Sequence, residues 1–299
     1  AESKPPFTRT THLLDRGAWD QPKQTVEPHV PAVLHPMETD GAPDRLAFAR
    51  WIVDRRSPLA ARVAVNRVWQ AVFGLGLVET PEDFGTRAPL PEYRNLLDWL
   101  AVDFMEHGWS QKRLIRTLVT SRTYRQDSRI TPLLLERDPG NRLLARGPRF
   151  RADAEMVRDI ALAASGLLTR TTGGPSIFPP VPENVLSYNY VKPNYWHVPD
   201  GPERYRRSLY LFRKRSMPDP MLAAFDAPNA DSACARRAHS NTPLAALTSL
   251  NEPVFFEAAQ GLARRIWREG GSTDAARIAY GYLLCTSRPP VAAEVKAVQ

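Results

Sequence analysis

Two groups of polar side chains fall close enough along the chain to share a site. Asn66, Arg67 and Gln70 lie together with Trp69, and Asp83-Phe84-Gly85 follows closely behind. A carboxylate that orients an arginine inside a pocket can bind or polarise a substrate. The same pair buried against a helix merely ties a loop to the core. The second group is Asp226, Cys234, Arg236, Arg237 and Asn241, with Asn251 beyond it near a helix start. A cysteine flanked by two arginines can react as a thiolate, because nearby cations lower its pKa. It has no evident general base, since His239 stands only two residues past Arg237. The alternative is a packed thiol inside a capping and salt-bridge network.

Other reaction chemistry is poorly represented. Histidines 12, 29, 35, 107, 197 and 239 follow no HxH or HExxH spacing, and no metal site is expected. The sequence has no GxGxxG, Walker loop or GxSxG. Gly173-Gly174-Pro175-Ser176 has the composition of a phosphate-cradling turn but lacks the strand-then-helix frame. Cys234 and Cys285 form neither CxxC nor CxxCH, so no cofactor is expected in this chain and covalent haem within it is excluded. The two thiols read as one disulfide or as two free buried groups.

The preferred binding surface is the segment 170–205, where Phe178, Tyr188, Tyr190, Tyr195 and Trp196 stand among many Pro and Gly residues. A loop of this length in a compact domain carries function or is disordered, and five large aromatics argue for order. They offer stacking platforms for a sugar ring or a protein partner, or else bury one another. Tyr195 and Trp196 are expected to face a cleft.

The elements that must position these groups are mainly helical. Residues 1–43 read as a Pro-rich entry arm, with short extended pieces at His12–Leu14 and Thr25–Val26. A helical domain then runs over 44–299, its halves 44–169 and 206–299 separated by the loop 170–205. Asp44 caps the first helix. Ser57-Pro58 opens a second that ends at Gly74, with Leu59, Val63, Val68, Trp69 and Val72 along one side. This helix is expected at the centre of the core with Trp69 buried, and Arg67 or Arg62 is expected to pair with Asp83 or Glu82. Helices follow over Pro91–His107, after Ser110, and from about Ala152 to Leu168. Residues 206–215 alternate like a short strand. Pro220–Phe225, Pro243–Leu250, Pro253–Glu269 and Thr273–Leu284 return to helix, with Thr242 and Ser272 as caps.

Composition narrows the class. At 299 residues, 43% hydrophobic and 24% charged, this is an ordinary globular protein without a membrane-length apolar run. Its net charge of +8 is carried by arginine, only six of the 40 basic residues being lysine. Many arginines stand beside acids, as in Arg151/Asp153/Glu155/Arg158/Asp159, which favours paired surfaces and disfavours a nucleic-acid patch. The chain opens in a Pro-rich stretch and stops inside a helix, which reads as a piece of a longer protein. The missing signal peptide therefore says nothing about location.

Successive blocks resemble one known family. They are RLAFARWIVDRRSPLAARVAVNRVWQAVFGLGLVETPEDFG, LLDWLAVDFMEHGWSQKRLIRTLVTSRTYRQ, DPGNRLLARGPRFRADAEMVRD, GGPSIFP, RRSLYLF, FDAPNADSACARR and SNTPLAALTSLNEPVFFEAA. Their order and spacing are similar to the planctomycete-specific uncharacterised domain at the C-terminal end of proteins carrying a planctomycete-type cytochrome c domain. The resemblance covers about Asp44–Glu294. It implies an extracytoplasmic protein, periplasmic or in the envelope, with haem c in an upstream module. It implies no reaction, and Ala245 replaces the polar residue usual there, which weakens any active site at that point. The leading expectation is a non-catalytic accessory or interaction domain whose partner is that cytochrome module or an envelope protein. One alternative is an enzyme acting on polysaccharide through Asp83, Glu183 or Asp226. Another is an anionic-polymer binding module.

Overall fold

The computed structural model describes residues 10–39, 41–182, 186 and 196–299. Among them are eleven α-helices and one two-strand sheet, so the fold is mainly α. Two compact units divide at Arg149/Phe150. The sequence reading places its division in the 170–205 loop instead. The break falls earlier because the helix after residue 153 packs within the second unit.

In the first unit β1 (His12–Leu14) pairs antiparallel with β2 (Pro22–Thr25). The Pro-rich arm then reaches α1 (Arg45–Ile52), whose start is capped by the Asp44 carboxylate on the Ala47 amide. His35 and Trp51 clip arm to helix. Their rings stack 5.0 Å apart, and Trp51 Nε1 donates to the His35 carbonyl at 2.7 Å. Three helices build the core: α2 (Ala60–Phe73), α3 (Arg94–Glu106) and α4 (Gln111–Thr120). Val65, Trp69 and Phe73 repeat at helical spacing and meet Leu97, Leu100, Phe104, Leu114 and Leu118. Trp69 stacks on Phe73 with ring centroids 4.1 Å apart. Gly74 ends α2 at φ +86°, a left-handed cap that costs glycine nothing. Helix α2 starts two residues after Pro58. A short α5 (Pro132–Arg137), capped by Thr131, completes the unit.

In the second unit α6 (Ala154–Ser165) lies along α9 (Pro253–Glu269), with Leu162 buried against Val254 and Ala258. Gly261 permits the approach, because a Cβ there would sit 3.1 Å from the Leu167 side chain. Between these helices come α7 (Pro220–Ala224) and α8 (Pro243–Asn251); α10 (Asp274–Thr286) and α11 (Ala292–Val298) follow. Asp219, Thr242 and Thr273 accept the capping amides of α7, α8 and α10. The cap of α10 is thus Thr273 and not Ser272. The strand expected over 206–215 does not form. Ser208–Tyr210 is a 3₁₀ turn, and the neighbouring residues make only isolated bridges, Thr169 with Arg206, Ile177 with Leu211 and Lys214 with Met217. Each pairs with a single residue, and a strand needs a partner of comparable length.

Trp69, 4% exposed, is the largest side chain of the first core. Trp69→Ala should lower unfolding free energy by about 3–5 kcal/mol. Urea denaturation reads this directly, and an unchanged midpoint would contradict the packing.

Candidate functional site

The sequence-nominated polar cluster is divided between the two units. In the first, Asn66 is fully buried and works as a clamp. Its Nδ2 donates to the Val78 carbonyl at 3.0 Å, and its Oδ1 accepts the Val78 amide at 2.8 Å. The segment after α2 therefore folds back over Gly76, where a Cβ would lie 2.8 Å from Asn66 Nδ2. Arg67 points outward and is exposed. Asp83 pairs with Arg87 at 3.0 Å, and Arg62 reaches Asp98 on α3 at 2.6 Å, holding the Asp98 carboxyl below its ordinary pKa. The expected fastening of Arg62 to the Asp83 loop is thus replaced by a bond between helices, because Arg62 lies on the side of α2 that faces α3.

In the second unit Asp226 adopts φ +62° just after α7. Its carboxylate accepts the Ser240 amide at 2.8 Å and the Ser240 hydroxyl at 2.9 Å, and it also receives Arg151. The Ser240 and Arg151 contacts hold it below the usual carboxylate range. Arg237 bonds Glu155 at 2.6 Å, with Arg213 on the same carboxylate and Asp153 at 3.6 Å. Burial alone would raise Glu155, but the two arginines outweigh it and lower it. Cys234 is exposed, and its Sγ donates to the Arg236 carbonyl at 3.1 Å. Arg236 and Asn241 are exposed as well. Cys234 and Cys285 are free and exposed, so neither the disulfide nor the buried-thiol expectation holds. This group is a brace between α6 and the loop after α7.

Of the aromatic surface, Tyr188, Tyr190 and Tyr195, like Glu183, lie outside the described residues. Phe178 and Trp196 pack on each other, ring centroids 5.1 Å apart, and both meet Phe212. Trp196 Nε1 donates to the Pro179 carbonyl at 3.0 Å, which anchors the ring in this cluster. It does not line the cavity described below.

Gly173-Gly174-Pro175 turns out to hold a cation. Arg206, 2% exposed, donates to the carbonyls of Pro175 (2.7 Å) and Gly173, and its guanidinium lies over the Tyr210 ring at 3.9 Å. A phosphate cradle presents amides, whereas this turn presents carbonyls. Arg158, equally buried, donates to the carbonyls of Arg206 (2.8 Å) and Arg204 (3.1 Å).

One region combines open space with two carboxyls that have no ion pair among the described residues. A cavity of about 510 Å³ lies among α7, α8, the start of α9 and Pro180–Pro182. Its walls are apolar, from Val181, Met221, Leu244 and Leu247, and Asp219 and Glu252 supply its acids. Asp219 caps α7 through the Leu222 amide at 2.8 Å, and burial raises its carboxyl. Glu252 sits at the joint of α8 and α9, and its buried Oε2 has no hydrogen-bond partner. Burial first, then the charge of Asp219, pushes Glu252 up to about 7. Among the described residues neither acid has an ion pair within 4.0 Å, and no group of three or more His, Cys, Asp or Glu could hold a metal. Neither acid of this pair stands out in the sequence. Its one signal was an acid before a helix-opening proline, Asp219-Pro220 and Glu252-Pro253, which reads as capping and not as a site.

The class is therefore a mainly α protein of two compact units, with an acid-bearing apolar cavity in the second. A family model for PSD1, a protein of unknown function (DUF1553), matches residues 44–299, and the chain belongs to that family. No curated protein and no solved structure matches it. No helix of the described residues is long and apolar enough to cross a membrane.

Asn66→Ala should cost about 2–4 kcal/mol, because it leaves a small void and two unpaired backbone groups at Val78; denaturant unfolding measures it. Glu252 makes stability depend on pH. Its folded pKa is raised, so between the ordinary glutamate value and about 7 the folded state holds a proton that the unfolded state has lost. Its contribution is fully present below that window and is lost as pH rises through it. Glu252→Gln should therefore raise Tm relative to the parent by ~2 °C or more at pH 8 and by less at pH 4.5. Equal shifts at both pH values would contradict the assignment.

Proposed function

We propose that the chain is a non-catalytic accessory or interaction domain of an extracytoplasmic protein whose longer polypeptide carries a cytochrome c module. The carrying observation is the commitment of the two nominated acids among the described residues, Asp83 and Asp226, to arginine and backbone. Asp83 is taken by Arg87, and Asp226 by Ser240 and Arg151. Membership of a family of unknown function over 44–299 is consistent with this reading, and the resemblance of the sequence blocks supplies the haem-linked, planctomycete envelope context. Haem c would sit in the upstream module, with that module or an envelope protein as partner.

The polysaccharide-enzyme reading loses the two described carboxylates it relied on. Asp219 and Glu252 could do acid–base work, but no aromatic side chain among the described residues lines their cavity, and sugar sites commonly use such platforms. Anionic-polymer binding is weakened by the same pairing of arginine with acid.

Isolation of the full-length protein from the native envelope tests the proposal. Recovery from the envelope fraction with the absorbance of c-type haem is expected. Recovery from the cytoplasm, or without haem, would overturn it.

A further inference from the structure

We propose that the cavity among α7, α8 and Pro180–Pro182 binds a small organic cation with an apolar body, of the alkylammonium class. Its ammonium would meet Glu252 and Asp219, and its hydrocarbon would lie on Met221, Leu244, Leu247 and Val181.

Charge is the first reason. The other partly buried carboxylates of the second unit have basic partners: Glu155 has Arg213 and Arg237, Glu257 has Arg204, and Asp226 has Arg151. Asp219 and Glu252 do not, and no basic side chain is among the described residues lining their cavity. The nearby buried cation, Arg158, spends its Nη donors on the carbonyls of Arg204 and Arg206 and on the Ser208 hydroxyl. The charge of Asp219 disfavours ionisation of Glu252, Arg158 offsets this only in part, and a ligand cation would reverse it. The helix starts behind them favour negative charge but add no counter-ion.

Shape is the second reason. A volume of about 510 Å³ falls in the range of small-molecule sites, and the lining is mostly aliphatic. Leu244 and Leu247, 61% and 56% exposed, leave an apolar rim open to solvent. Hydrocarbon from a ligand would remove that surface from water. A bare metal ion would use the acids but leave the aliphatic walls without a role.

Calorimetric titration of the 299-residue chain at pH 8 with n-octylammonium, octan-1-ol and octanoate tests this. Octylammonium should bind at least about tenfold more tightly than octan-1-ol, with octanoate weakest. Glu252→Gln should abolish the preference for the ammonium over the alcohol while leaving alcohol binding in place. Leu244→Lys alters only an exposed rim residue, so folding is not at risk, and by adding a cation it should weaken octylammonium more than octan-1-ol. Equal affinity for ammonium and alcohol, or a preference that survives both substitutions, would overturn the proposal.

Discussion

Three buried guanidinium groups hold the irregular parts of this protein in place, and each does so through main-chain carbonyls. Arg146 donates to the carbonyls of Asp138 (2.9 Å) and Pro139 (2.7 Å), Arg158 to those of Arg204 and Arg206, and Arg206 to those of Gly173 and Pro175. All three are at most 5% exposed. A buried carbonyl without a donor costs free energy comparable to a lost hydrogen bond, and helices or sheets normally supply the donor. These segments are neither. Arginine's planar fork of donors substitutes for the missing ladder, with charge-assisted bonds that lysine could not make in the same geometry. An arginine-rich composition therefore has a structural use here beyond surface pairing.

The same division of labour explains which groups are left over. Exposed or half-buried arginines neutralise carboxylates, as Arg62 does Asp98 and Arg204 does Glu257. The most buried ones are consumed by backbone. Asp219 and Glu252 lie near one of these consumed cations, feel its field, and still lack a partner. Burial consequently dominates their titration, the opposite outcome to that at Glu155.

What could be read in the sequence was what short-range physics decides. The stripe through Trp69, the left-handed stop at Gly74 and the proline starts of α7, α8 and α9 all depend on residues within a few positions, and the helices follow from them. The strand expected over 206–215 failed because alternation reports a local preference, whereas a sheet needs a partner, and among the described residues these positions meet only isolated bridges. The polar cluster failed differently. Arg67 and Asp83 are close in sequence, yet the side of α2 on which each residue falls sends Arg62 to α3 and Arg67 to solvent. The acid pair was invisible because Asp219 and Glu252 are far apart in the chain and each carries a complete local explanation as a helix-start residue.

The cavity wall inherits its position from this arginine scheme. Pro180–Pro182 begin three residues after Ile177, whose amide bonds the Tyr210 carbonyl at 2.8 Å and whose carbonyl accepts the Phe212 amide at 2.7 Å. Immediately before it, Gly173 and Pro175 are gripped by Arg206. Behind Arg206, its own carbonyl is gripped by Arg158 from α6. One continuous line of bonds thus runs from a core helix, through two guanidinium groups, to the wall facing Asp219 and Glu252. Loss of either arginine would break this line at its Gly173–Pro175 end, leaving the Ile177 backbone bonds and the Trp196 bond to the Pro179 carbonyl to hold the rest. A wall set this way is fixed by a few strong, geometrically specific contacts, and the cavity beside it can stay apolar and open without the segment collapsing into it.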